Sequence, residues 1–295
     1  MNNLVSFVLL SYNNSNFIEK TIISINNQSY NHIELIVVDD GSNYESLIYL
    51  KKLKELYNFQ LIEKTNGGVV SAINYAIKYI NGKYTIFHAN DDISHVNRVS
   101  EQLNVFSDYP DACFVSSNIN IVDKNGLFIK RLLRFSDNKK IKLADALIGC
   151  NISSVGCMYK TIYLKKICID EKYIAEDPQI HFKILEIANY AVVNSGIPIL
   201  NYYLHESSQM STRLHDLLFQ HVNLMREYKN EHVYELSLRN VEINYLSYLA
   251  EFEKKKCIIY FLNNFSTLKS KSLFKILIKL MLPVRFIRKF KLVRT

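Results

Sequence analysis

Three clusters of acidic and amide side chains have the types and spacing to do chemistry. The stretch FHANDDISH, residues 87–95, sets Asp91 and Asp92 side by side directly after an apolar run. Adjacent carboxylates repel, and no Lys or Arg stands between them and Arg98. A divalent cation relieves that repulsion, because Mg²⁺ and Mn²⁺ favour carboxylate oxygen and keep phosphate oxygens and waters as further ligands. The competing reading is a solvated N-cap for the helix-like SHVNRVSEQLNVF. Asp39 and Asp40 follow IELIVV and precede Gly41-Ser42. They either cap the next helix or hydrogen-bond a base or ribose, as acidic residues do near nucleotides. Asn66-Gly67-Gly68 reads equally as a turn before a helix and as a backbone approach to a nucleotide. There is no GxGxxG after the first apolar run and no GxxxxGK[ST], which argues against dinucleotide and P-loop binding.

These clusters need elements that bring them together. LVSFVLL, IELIVV, FQLIEK and KYTIFHA are apolar runs of the buried-strand type, alternating with the helix-like FIEKTIISINNQ, YESLIYLKKLKELY and VVSAINYAIKYI. In the second of these helices Leu47, Leu50, Leu53, Leu56 and Tyr57 share one face. Such alternation implies right-handed crossovers and a mostly parallel sheet, with ligands bound beyond the carboxyl ends of its strands. Each run ends in a polar or glycine-rich cluster, Ser11-Tyr12-Asn13 after the first, so all four clusters are expected at one edge. Later, ACFVSSNINIV and SSVGCMYK read as strands around a DKNG turn, DPQIHFKILEIANY as a helix with Pro178 in its first turn, and AVVNSGIPILNYYLH as two closing strands. Beyond about residue 207 the chain reads as helical.

At 295 residues, 48% hydrophobic and 22% charged, the chain can bury a real core and is not a disordered protein. Its start reads as a first strand and not as a signal peptide, since it lacks a basic segment and a small-residue cleavage site. Five cysteines without a CxxC pair read as buried thiols in a reducing cytoplasm. The net charge of +8 is unevenly spread. Lys254 to Thr295 holds nine Lys, three Arg and no acid, which leaves the rest with 24 basic against 28 acidic groups.

VLLSYNN, ELIVVDDGS, NGGVVSAINYAI, KYTIFHANDD and IAEDPQIHFKILE, in this order and spacing, resemble the inverting nucleotide-sugar glycosyltransferases of family two. The resemblance covers about residues 1–210. It implies the GT-A fold, a Rossmann-like α/β architecture whose mixed, mostly parallel sheet is flanked by helices. It also implies transfer of a hexose-type sugar from a nucleoside diphosphate, usually UDP, to an acceptor hydroxyl. Carried onto this sequence, Tyr12 stacks on the base, Asp40 hydrogen-bonds it, Asp39 supports the turn, and Asn66 and Gly67 approach the nucleotide. Asp91 faces the ribose or sugar, and Asp92 faces the metal, Mn²⁺ or Mg²⁺. Asn90 stands where many members place a third carboxylate, and an amide ligates hard cations more weakly. Asp177 is the implied base of a single in-line displacement. It also opens a helix with Glu176, a cap being compatible with catalysis; Glu176 is the group that would orient the acceptor. His205 matches a histidine that many members carry near the diphosphate, a lone His being as often structural.

Residues 211–295 are expected as a helical C-terminal region. Its segment KSLFKILIKLMLPVRFIRKFK, residues 271–291, has lysines on one helical stripe among apolar residues. No uncharged apolar run approaches the roughly 20 residues that span a bilayer, so this reads as a basic amphipathic helix on an anionic membrane surface. The competing reading packs it on the core; no signature of nucleic-acid binding is present. Together these features point to a peripheral enzyme on the inner face of the cytoplasmic membrane. It would serve surface polysaccharide synthesis (O-antigen, lipooligosaccharide or capsule) with a saccharide acceptor, lipid-linked in form, and a homodimer is left open. The rivals are a nucleotidyltransferase of related fold, disfavoured by the absence of a glycine- and arginine-rich N-terminal loop, and a non-catalytic membrane or nucleic-acid binder.

Overall fold

A computed structural model describes residues 3–13, 17–132, 137–149, 152–204, 213–264 and 272–281. The chain divides into two compact units, Met1–Ala146 with Cys150–Ser211, and Leu147–Gly149 with Thr212–Thr295.

In the first unit, β1 (Val5–Ser11), β2 (Ile33–Asp39), β3 (Gln60–Glu63) and β4 (Tyr84–His88) run parallel, joined by α1 (Ile18–Asn26), α2 (Tyr44–Leu56) and α3 (Gly68–Ala76). The register pairs Ser11 with Asp39 and Asp39 with Glu63, so these strands finish on a common edge. After them come β5 (Ile93–Ser94), α4 (Arg98–Asp108), β6 (Phe114–Ser116), β7 (Asn120–Val122), β8 (Phe128–Arg131), β9 (Lys139–Ile141), α5 (Leu143–Ile148), β10 (Cys157–Lys160), α6 (Thr161–Leu164), α7 (Glu176–Ile187), β11 (Ala191–Val193) and β12 (Leu200–Tyr203). Eight strands form one sheet in the order β3-β2-β1-β4-β10-β6-β11-β9. Within it β10 and β9 run against their neighbours, giving a mixed, mostly parallel sheet. A second sheet has the order β5-β12-β7-β8.

Side-chain alternation along β1 fixes which helices cover which face. Val5, Phe7 and Leu9 join Ile18, Ile22, Leu50, Leu53, Val99 and Phe106 in one core, under α1, α2 and α4. Val8 joins Ile36, Val38, Ile62, Ala72 and Ala76 in the other, under α3. Of the face expected on α2, Leu50 and Leu53 are buried, whereas Leu56 is 72% exposed: it ends the helix, beyond reach of the sheet. The ACFVSSNINIV run divides between β6 and β7, which lie in different sheets. Cys113, Cys157 and Cys257 are buried thiols, but Cys168 is exposed.

In the second unit, α8 (Leu214–Met225), α10 (Lys254–Asn263) and α11 (Ser272–Met281) pack on α9 (Tyr234–Phe252). Ile276 of α11 is buried, and Lys254 Nζ donates to Leu280 O at 2.7 Å. Part of the expected membrane segment is therefore packed within its own unit; Lys271 and residues 282–291 lie outside the described residues.

Candidate active site

The ends of β1, β2 and β3 build the first corner. Asp39 Oδ2 accepts from Ser42 N at 3.0 Å, while its buried Oδ1 has no hydrogen-bond partner among the described residues. Both oxygens of Asp40 are engaged instead: Oδ1 takes Lys64 Nζ at 2.5 Å and Gly67 N at 3.1 Å, and Oδ2 takes Gly68 N at 2.8 Å. Asn66 Nδ2 adds a bond of 2.9 Å to Asp40 O. Gly41 has φ +74°, and a Cβ there would come within 2.6 Å of Asn66 N, so the turn requires glycine. Asn13, at φ +49°, ties this turn to the end of β1: its amide donates to Ser42 Oγ at 2.9 Å and its Oδ1 accepts from Asn43 N at 2.7 Å. A cavity of about 730 Å³ opens here, lined by Asp39, Ser42, Lys64, Asn66, Gly67 and Tyr75 among others. Tyr12, 53% exposed, follows directly on β1. The structure thus brings Asp39, Asp40, Asn66 and Gly67 together, and within the first aspartate pair it makes Asp40 the brace of the loop.

The end of β4 builds the second corner. Asp92 is fully buried and Asp91 partly open. Tyr203 N donates to Asp92 Oδ1 at 3.1 Å, and Asp92 Oδ2 has no hydrogen-bond partner among the described residues. Burial pushes the Asp92 carboxyl well above its usual range, the charge of Asp91 pushes it further, and Arg98 pulls it back. Sequence reasoning met Arg98 only as the nearest cation. It is fully buried on α4, where its Nη1 donates to Ser94 Oγ at 3.1 Å and its Nη2 to Val155 O at 2.8 Å. His88, which sequence reasoning passed over, lies beside it with Nε2 2.9 Å from Ser94 Oγ and Nδ1 2.6 Å from Ala89 O. Burial, and then the charge of Arg98, lower His88 to about 3, so it is neutral at pH 7. The only legible sign of this network was a basic residue amid the apolar positions of a helix.

The third group opens α7. Burial raises the carboxyls of Glu176 and Asp177, and the charge of Asp177 raises Glu176 further. The Ser154 side chain hydrogen-bonds the Asp177 carboxylate and works in the opposite sense. Ser154 belongs to a short turn fastened by buried polar groups: Ser116 Oγ accepts from Ser153 N at 2.9 Å, and Gln102 Nε2 donates to Gly156 O at 2.9 Å. Arg98, through Val155 O, holds the same turn and so touches the supports of both Asp92 and Asp177. Burial lifts the Tyr202 hydroxyl to about 12, and the charges of Asp92, Asp91 and Asp177 act in the same direction. His205 lies outside the described residues.

Among the described residues no three His, Cys, Asp or Glu side chains gather to hold a metal unaided. The partly open Asp91 supplies hard carboxylate oxygen, and the orphaned Oδ2 of buried Asp92 leaves a second carboxyl uncompensated beside it, which suits a cation completed by phosphate oxygens and water.

The model of the family described as "Glycosyl transferase family 2" matches residues 6–168. An uncharacterized glycosyltransferase of Rickettsia typhi, RT0329, is 30% identical over 230 residues, which cover 72% of this chain and 68% of that protein. WfgD of Escherichia coli, a UDP-Glc:alpha-D-GlcNAc-diphosphoundecaprenol beta-1,3-glucosyltransferase, is 27% identical over 218 residues, covering 72% of this chain and 82% of WfgD. Residues 1–349 of Staphylococcus aureus TarS, solved with UDP-GlcNAc, superpose with a TM-score of 0.64 at 21% identity, covering 90% of this chain and 76% of that one. The match spans only 28% of the length of a further relative, from Rickettsia bellii. The fold is thus that of the GT-A glycosyltransferases, as the sequence led one to expect.

Proposed function

The chain belongs to glycosyl transferase family 2, and we propose that it moves a hexose-type sugar from UDP to a hydroxyl of a lipid-linked saccharide in surface polysaccharide synthesis. The family match carries this reading, and the orphaned Oδ2 of buried Asp92 beside Asp91, with Asp177 at the start of α7, supplies carboxylates of the types it needs. WfgD, which by its name uses UDP-Glc and a diphosphoundecaprenol-linked sugar, supports the donor and acceptor classes.

In this reading Tyr12 stacks on the base and the unpartnered Oδ1 of Asp39 accepts from it, while Asp40, Asn66 and Gly67 hold the loop that shapes the cavity. The role first assigned to Asp40 passes to Asp39, since every oxygen of the Asp40 carboxylate is already used. The second pair exchanges roles in the same way: Asp91, with open surface, is the metal-facing group, and buried Asp92 buttresses it. Mn²⁺ or Mg²⁺ bound there stabilises charge on the leaving diphosphate. Asp177 takes the acceptor proton as the acceptor oxygen bonds to the anomeric carbon; the bond from that carbon to the diphosphate breaks, and UDP leaves with inversion. Ser154 aims the Asp177 carboxylate, and Glu176, next to it, orients the acceptor.

No helix among the described residues is long and apolar enough to cross a membrane. The basic C-terminal segment is assigned a peripheral role at the cytoplasmic face. The decisive measurement is UDP release across common nucleotide sugars, with Mn²⁺ and with a chelator, in the presence of a polyprenyl-diphosphate saccharide. Release with a donor and acceptor, lost on chelation, is expected. Pyrophosphate release from a nucleoside triphosphate and a sugar phosphate would instead identify a nucleotidyltransferase.

A further inference from the structure

The hairpin of β7 and β8 has a surface that nothing in the donor site requires. All four residues of β8 are exposed, so the strand is open on both faces, and among the described residues it is the last strand of its sheet and open along one edge as well. Leu127, Phe128 and Ile129 are 67%, 63% and 41% exposed. Ile121 pairs with Lys130 and Val122 with Phe128, so Ile129 is the extra residue of a bulge, and the apolar Phe128 and Ile129 and the cations Lys130 and Arg131 lie on either side of that irregularity. Lys124 in the turn adds a third cation. The single acid, Asp123, has its Oδ1 engaged by the amides of Asn125 and Leu127, both at 2.9 Å.

The tip is also built firmly. Gly126 N donates to Asp123 O and Asp123 N to Leu127 O, each at 2.9 Å, and Gly126 takes φ +85°. Three consecutive apolar side chains held out by a closed turn, with cations on either side, match one environment well. An anionic lipid interface accepts the apolar groups at the acyl boundary and the Lys and Arg ends at the headgroups. Pairing of the open edge with a second copy is opposed by Lys130 and Arg131, which would face like charges in an antiparallel strand pair.

We propose that the β7–β8 hairpin is a membrane-docking element for anionic lipid headgroups, separate from the basic C-terminal segment. The hairpin is continuous with the reaction corner. A Cβ on Gly126 would lie 3.4 Å from the Tyr203 hydroxyl, and the amide of Tyr203 holds Asp92. Docking therefore sets the Asp91–Asp92 corner at the lipid surface, where a lipid-linked acceptor presents its sugar. The inference goes beyond the donor reading and does not depend on it.

The chain has no tryptophan, so Phe128→Trp places a single, selectively excitable tryptophan on the docking strand. In the full chain its emission is expected to shift to the blue with phosphatidylglycerol vesicles, to be quenched by brominated acyl chains, and to revert in high salt or with phosphatidylcholine alone. The triple substitution Lys124→Gln, Lys130→Gln, Arg131→Gln is expected to weaken partition by roughly tenfold or more, each interfacial charge contributing on the order of a fewfold. Circular dichroism should show its fold unchanged, whatever the donor assay gives. Unmoved emission while the protein sediments with vesicles would overturn the proposal in favour of the C-terminal segment alone. A lipid-free blue shift that grows with protein concentration would overturn it in favour of a second copy. Absence of any vesicle binding would also overturn it.

Discussion

The corner at the ends of β1–β3 and the corner between β4 and α7 both gather carboxylates, yet they satisfy them differently. Asp40 has a lysine and two backbone amides, so its loop is set in the absence of ligand. Asp92 has one amide, one orphaned oxygen and a like charge beside it, and Glu176 and Asp177 stand as a second carboxyl pair whose ionisation burial opposes. The buried Arg98 acts on Asp92 and holds the Val155 carbonyl of the turn that carries Ser154. In the proposed reading the first corner is preorganised for binding, whereas the second stays electrostatically incomplete until cation and acceptor arrive. Buried charges without full partners are costly, and they persist where function uses them.

Four measurements break or sharpen this contrast. The largest effect is expected from Asp91→Asn, which removes the open carboxylate of the incomplete corner. Transfer should fall by roughly 10³-fold or more, the several kcal/mol that a catalytic metal supplies, and calorimetry should show Mn²⁺ no longer enhancing UDP binding. Retained Mn²⁺ dependence would return the metal to Asp92. Asp177→Asn should cost about 10²- to 10⁴-fold in kcat, the range for loss of a general base, with UDP affinity unchanged; normal turnover would leave Asp177 a helix cap. Asp40→Asn tests the preorganised corner. Losing a charge-assisted contact costs about 2 kcal/mol, so UDP should bind roughly 30-fold more weakly, and unchanged affinity would remove the contrast.

The smallest effect concerns pH. Because burial holds Asp177 above the ordinary carboxylate value of about 4, its ionised fraction falls as pH drops through the raised value, and kcat falls with it. The acid limb of the rate profile should therefore lie above the ordinary carboxylate range. Ser154 favours the ionised form, so Ser154→Ala should move that limb to still higher pH. A limb that stays in place would mean that Ser154 supports only the turn.

Much of the first half was legible because parallel strands buried on both faces read as unbroken apolar runs, and the helices between them keep a 3.6-residue period. The later strands β5, β8 and β9 are two to four residues long, too short for any period to register. The aspartate pairs were legible as pairs, but not the division of labour within them. Which oxygen is spent depends on partners contributed by distant chain: Lys64 and Gly67 for Asp40, Tyr203 for Asp92. Likewise the pattern of Leu47, Leu50, Leu53 and Leu56 gave a face but not its end. Whether Leu56 meets the sheet depends on where the helix stops.

The span of those contacts also orders the assembly of the protein in time. The partners that close around Asp40 lie 24 to 28 residues downstream of it, whereas the bond from Tyr203 to Asp92 joins residues 111 apart. Loop closure costs more entropy with separation, and domains take shape from the N-terminus as the chain is synthesised. The Asp40 corner needs nothing beyond Gly68 to make its own hydrogen bonds, while Asp92 gains its partner only after β12 has been made. A nascent chain would thus be able to shape its nucleotide-side turn well before it has a catalytic centre, and pulsed hydrogen exchange during refolding should protect the amides of Gly67 and Gly68 before that of Tyr203.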